Sequence, residues 1–132
     1  EPTRRIVEHV HSKEIKFDLH SCGLIDSIVP EIVDDLKVDA LNIMSINNIP
    51  ELKKKTGTKV VYDVYIDTQK FDVMDASGSL TQEKLRKGLH DEIKENAVGG
   101  CYLPVMLLVR PEWQPIIKEE FEKVRQELIK EA

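Results

Sequence analysis

Strand-like and helix-like stretches alternate along this chain with a regularity that leaves few folds open. Ile15 to His20 reads as a strand, and Leu24 to Leu36 places Leu24, Ile25, Ile28, Val29, Ile32, Val33 and Leu36 at the spacing of an amphipathic helix. Val38 to Met44 (VDALNIM) is a short apolar strand. Asn47-Asn48-Ile49-Pro50 then supplies a cap and first turn for a helix through Lys55, closed by Gly57. Lys59 to Ile66 (KVVYDVYI) is β-branched and aromatic, the composition of a third strand. A loop follows, and Thr81 caps a helix through Asn96 with Leu85, Leu89 and Ile93 four apart. After Gly99 and Gly100, Cys101 to Val109 (CYLPVMLLV) is apolar enough for a buried strand. Pro111 starts a last helix with Trp113, Ile116, Ile117, Phe121, Val124 and Leu128 on one face. A further helix, Thr3 to Ser12, precedes the first strand with Ile6, Val7 and Val10 on one side. Four strand–helix units in a row predict a parallel sheet with right-handed crossovers. That means half of a (β/α)8 barrel or a small open doubly wound sheet.

The 132 residues suffice for one domain, 1–132, with a real core. A formal net charge of -5, with 33% charged residues, offers no basic face for nucleic acid. No apolar run approaches the ~20 residues that cross a bilayer, so no membrane partner is expected. With no targeting segment and two cysteines far apart, a reducing cytoplasmic setting is expected, where such cysteines are metal ligands or core residues rather than a disulfide. The opening Glu1-Pro2-Thr3, without an initiator Met, leads to the expectation of a fragment of a longer protein.

In either parallel architecture, function collects at the C-terminal ends of the strands. There the stretch KFDLHSCG places His20 and Cys22 two residues apart. On an extended chain that spacing points both to one side, with α-carbons roughly 6.5 Å apart, within reach of one ion. Cys101 is the one other cysteine, and it opens its strand or belongs to the turn before it. One imidazole and two thiolates suit zinc better than magnesium or calcium, and would make a bound substrate thiol nucleophilic at neutral pH. A short H-x-C is weak by itself: each cysteine also fits as a small apolar residue, and His20 as a strand-end histidine bonded to backbone.

The segments LHSCGLIDSIVPEIVDDLKVDALNIM, NNIPELKKKTGTKVVYDVYIDTQ and VGGCYLP together resemble the C-terminal half of the uroporphyrinogen decarboxylase-like superfamily. Within it they are most similar to the corrinoid-dependent methyltransferases, from about Ile15 to Glu127, with HSCG, IDTQ and GGCY in the same order. The resemblance implies the last four units of a (β/α)8 barrel of the TIM type. It implies zinc on His20, Cys22 and Cys101, and methyl transfer between a corrinoid protein and a small-molecule thiol or pterin acceptor. Some members of that group carry an acidic ligand at the end of the next strand; here that neighbourhood reads LNIMSINN, without a carboxylate. The alternatives are a metal-free, decarboxylase-like lyase and a non-catalytic half-barrel that serves as a binding module.

Other polar residues are weighed on position. Asn42 and Asp67, at strand ends, are candidates for substrate binding, although Asp67 equally fits a loop cap. Asp18 shares the His20 side of its strand and is a candidate to support His20, with Lys16 as a partner. His9, His11 and His90 read as surface residues, and Trp113 and Phe121 as core. Half a barrel leaves two unpaired edges and one uncovered face, which a second copy in a homodimer, or an N-terminal half, would close.

Overall fold

The structure, a computed structural model, describes residues 2–99, 101–102 and 110–131. Helix α1 (Pro2–His11) leads into strand β1 (Asp18–His20). Helix α2 (Val29–Glu31) continues as a π-helical turn, Ile32–Leu36, before β2 (Ala40–Met44). Next come α3 (Ile49–Thr56), β3 (Val61–Tyr65), α4 (Gln69–Ala76) and α5 (Gln82–Asn96). Strand β4 (Cys101–Tyr102), a 3-10 turn at Pro111–Trp113 and α6 (Gln114–Glu131) complete the order. The strands form one small parallel sheet in the order β1-β2-β3-β4, so the protein is of mixed α/β class. Among the described residues no helix is long and apolar enough to cross a membrane.

The register explains which side of the sheet is buried. Leu19 pairs with Leu41, Leu41 with Tyr62, and Tyr62 with Cys101. Side chains alternate along a strand, so this row shares one face with Ile43 and Val64. All six belong to or pack against one apolar cluster with Val7 of α1, Val29 and Val33 of the second helical stretch, and Ile49 and Leu52 of α3. The adjoining row, His20, Asn42 and Asp63, faces the other way, where Val61 is 48% exposed. Among the described residues helices cover the Leu41–Tyr62 face, while on the other face Val61 is exposed and Asn42 is buried. A second cluster gathers Phe71 of α4, Leu85 and Leu89 of α5, and Ile117 and Val124 of α6, with Trp113 and Phe121 packed against it.

Tyr62 is wholly buried, and its hydroxyl lies 3.0 Å from Thr56 Oγ1. Thr56 gives its one hydroxyl hydrogen to the Leu52 carbonyl, at 3.0 Å, so Tyr62 is the donor and no buried polar group there is left unmade.

Several expectations change. The helix predicted over Leu24 to Leu36 begins only at Val29, and Leu24 is 70% exposed. Pro30 has no N–H to return to Asp26, which restricts it to the first turn of a helix, so 26–28 form a turn instead. The loop predicted after β3 contains α4, making the third crossover a pair of helices. Of the strand predicted over Cys101 to Val109, only Cys101–Tyr102 is described; 103–109 lie outside the described residues. The caps hold: Asn48 Oδ1 accepts from Glu51 N at 3.2 Å, and Thr81 Oγ1 from Lys84 N at 3.2 Å.

At the other end of the sheet, His11 is not a free surface histidine. His11 Nε2 lies 2.7 Å from Asp39 Oδ2, Lys16 Nζ lies 2.7 Å from Asp39 Oδ1, and Phe17 N–H donates to Asp39 Oδ2 at 2.9 Å. Burial pushes the Asp39 carboxyl up, but Lys16, the Phe17 amide and His11 outweigh it and hold the pKa at about 2. Depression from 3.8 means the carboxylate adds stability above its unfolded pKa, and loses it as pH falls through about 2. Asp39→Asn should therefore flatten the loss of stability between about pH 4 and about pH 2, read by urea unfolding across that range. An unchanged acid limb would refute the clamp.

Gly88 tests the packing of α4 on α5. A Cβ there would meet Phe71 Cε1 at 2.7 Å and Cζ at 2.9 Å, and Phe71 is itself buried. Alanine would gain about 1 kcal/mol of helix propensity but force overpacking that costs typically 1–3 kcal/mol. Gly88→Ala should lower stability by about 1 kcal/mol in denaturant titration, and a more stable variant would contradict this packing.

Candidate functional site

The segment after β1 is held to the end of β2 by one side chain. Asn47 is buried; its Nδ2 donates to the Gly23 carbonyl at 3.0 Å and the Met44 carbonyl at 2.9 Å. Its Oδ1 accepts from Ile25 N–H at 2.8 Å. Gly23 takes φ +86, a left-handed conformation that favours glycine, and an added Cβ would meet nothing within 4 Å. The glycine after H-x-C is thus required by backbone turn rather than by space.

This turn leaves His20 and Cys22 together: His20 Nε2 lies 3.0 Å from Cys22 Sγ, on the exposed side of the sheet. The other ring nitrogen, Nδ1, is hydrogen-bonded to Asn42 Oδ1. Asn42, 6% exposed, reaches across to β3, with Nδ2 2.8 Å from Asp63 Oδ2 and 3.3 Å from the Asp63 carbonyl. Burial raises the Asp63 carboxyl above its ordinary range and Asp18 adds to that, against the bond from Asn42. Asp63 Oδ1 finds no hydrogen-bond partner among the described residues.

Cys101 is not with the pair. It sits in register with Tyr62, on the helix-covered face, and packs against the apolar cluster. Three strand spacings, roughly 14 Å of sheet, separate β1 from β4. Burial pushes the Cys101 thiol up, against the Lys53 ammonium and a backbone hydrogen bond. Among the described residues no group of three His, Cys, Asp or Glu is gathered as a metal site would be. His20 and Cys22 fit zinc by donor type and proximity; Cys101 in this register does not join them.

The remaining candidates are placed as follows. Asp18 is exposed and does not hold His20, since Asn42 occupies Nδ1; Lys16 pairs with Asp39 instead of Asp18. Asp67 Oδ1 accepts from Gln69 N–H at 3.0 Å, at the start of α4, as the loop-cap reading expects. His90 is half-buried, with Nε2 3.1 Å from Glu127 Oε2.

Sequence reasoning missed Asp63, Asn47 and Glu92. Glu92 of α5 is buried under the strand ends, where its carboxylate accepts from Ser45 Oγ, from Asp67 N–H at 3.1 Å and from Lys70 Nζ. Burial lowers the Lys70 pKa despite nearby acids. A surface groove of about 630 Å³ between α5 and α6 is lined by Arg86, Lys87, His90 and Glu120.

No family model, no curated protein and no solved structure matches the chain.

Exposure and burial set the order in which the two free thiols react. In metal-free protein at about pH 8, Cys22 should react with a thiol reagent about ten-fold or more faster than Cys101, resolved by mass spectrometry of the labelled peptides. Equal rates would mean that Cys101 does not lie under the helices.

Proposed function

We propose that the chain is the C-terminal half of a zinc-dependent, corrinoid-linked methyltransferase of the uroporphyrinogen decarboxylase-like superfamily. The observation that carries the reading is the 3.0 Å approach of His20 Nε2 to Cys22 Sγ where β1 ends. Imidazole and thiolate side by side make a soft two-point chelate, and the end of a parallel strand is where such folds keep their chemistry. The sequential strand order β1-β2-β3-β4 also supports a half-barrel, because a doubly wound sheet reverses its strand order at a switch point.

In this reading His20 and Cys22 hold the metal, with Cys101 as the third ligand. Zinc, when bound, supplies a thiolate form of the methyl acceptor at neutral pH. Asn42 fixes the His20 ring, Asn47 fixes the turn that carries Cys22, and Glu92 and Ser45 fix the ends of β2 and β3. The methyl group comes from, or goes to, a corrinoid on a partner protein, and a reducing cytoplasm keeps both thiols free. Cys101 joins His20 and Cys22 only if β4 pairs one residue out of the described register, which turns its side chain to the His20 face, and the sheet curls enough to bring β4 across the roughly 14 Å that separate it from β1. The outer edges of the sheet are closed by a second copy or by an N-terminal half-barrel.

Elemental analysis of chelator-free protein tests the reading. About one zinc per chain is expected, with loss in His20→Ala and Cys22→Ser and weakened retention in Cys101→Ser. Light scattering on the same sample distinguishes a homodimer from a monomer. Metal retained in Cys101→Ser at full strength removes that cysteine from the site; no zinc in the wild-type chain at any added concentration overturns the reading.

A further inference from the structure

We propose that Asn42, oriented by Asp63, sets the tautomer of His20, leaving Nε2 unprotonated and directed at Cys22. The value of this arrangement rests on the His20–Cys22 pair acting as ligands, as proposed above; the tautomer itself does not.

The inference follows from what each group can donate. A primary amide has one donor end and one acceptor end, and a neutral imidazole has one N–H and one bare nitrogen. One end of the Asn42 amide faces two oxygens of Asp63: Oδ2 at 2.8 Å and the backbone carbonyl at 3.3 Å. A backbone carbonyl only accepts, whatever the charge on the side chain, so that end must be the NH2. The amide oxygen is then the atom that meets His20 Nδ1, and an acceptor there requires Nδ1 to carry the hydrogen. Nε2 is left with its lone pair, 3.0 Å from Cys22 Sγ.

The opposite arrangement fails on the same inventory. Turning the amide over would set its oxygen against the Asp63 carbonyl and carboxylate. Asn42 is 6% exposed, between Leu41 and Ile43 on a central strand, so water has little access to repair the loss. The lock is therefore built across three strands, His20 on β1, Asn42 on β2 and Asp63 on β3, through one register row. With the thiol protonated, bare Nε2 accepts its hydrogen; with the thiol ionised, nitrogen and sulfur present lone pairs to the same point. Asn42 and Asp63 are positioning residues, and neither is required to touch substrate.

Nitrogen-15 chemical shifts of the His20 ring in metal-free protein read the tautomer directly, at about pH 8.5 where an ordinary imidazole is neutral. The expected result is a protonated Nδ1 and a bare Nε2 in wild type and in Cys22→Ser, because Asn42 rather than the thiol sets it. Asn42→Leu should release the ring to a mixture of both forms, and Asp63→Leu, which removes the shorter of the two acceptors, should do so in part. A protonated Nε2 in wild type overturns the proposal, as does an Asn42→Leu or Asp63→Leu spectrum like wild type. Should either variant fail to fold by circular dichroism, the wild-type and Cys22→Ser spectra still decide the tautomer. In zinc titrations followed by competition with a chromophoric chelator, Asn42→Leu should weaken binding about 10- to 100-fold, the usual effect of removing a group that orients a ligand histidine. A wild-type chain with the expected tautomer but no zinc affinity would refute the metal reading and leave the tautomer lock standing.

Discussion

Alternation of apolar and polar side chains along β2 and β3 divides the molecule into a covered face and a polar one. Leu41, Ile43, Tyr62 and Val64 are each buried completely, and each contributes about 1.5–3 kcal/mol by leaving water. Four such residues together represent roughly 6–12 kcal/mol, as much as the whole net stability of a typical domain. A one-residue slip of either strand would turn its apolar pair out and drive Asn42 or Asp63 under the helices, so this pairing is fixed. The polar row that ends at His20 comes from the same pairing. Its hydrogen bonds are aligned by apolar burial on the reverse side of the sheet.

Among its described residues, strand β4 pairs Cys101 with Tyr62 and Tyr102 with Asp63, and the thiol of Cys101 is a small apolar payload beside Tyr62. His20 and Cys22 sit on a segment anchored twice: by the ladder to β2, and by Asn47, which satisfies two carbonyls and an amide around the turn. Glu92 has the corresponding task one strand further on, where Ser45, Asp67 and Lys70 converge on its carboxylate. Removing either side chain would leave several part-buried partners without it at once, which costs more than a single lost hydrogen bond.

Features written within one segment were legible in the sequence. The parallel pairing of the strands follows from the alternation of periods, and the Asn48 and Thr81 caps follow from local backbone chemistry. The H-x-C pair is likewise a local pattern, although Cys22 lies just past the end of β1. Helix α4 was illegible because Phe71 is its one buried residue, so no periodicity announces it, and its cap comes from Asp67 two residues ahead of Gln69. The false start of the helix at Leu24 had a readable cause in Pro30, which the apolar spacing of 24–36 masks.

Relations across strands were not legible, and the candidate site consists mostly of these. Nothing in VDALNIM or KVVYDVYI states that Asn42 stands opposite both His20 and Asp63; only the pairing register does. Asp63 reads in sequence as an ordinary polar position on a half-buried strand, yet its carbonyl and carboxylate decide which end of a buried amide faces a histidine. Asp18, two residues from His20 on the same side, was the natural sequence candidate for that task. It loses it because the neighbouring strand brings an acceptor directly beside the ring, whereas a residue two along the same strand lies nearly 7 Å away. Support for a strand-end side chain comes laterally, from the register partner, and a search for such support in sequence has to pair strands before it compares residues.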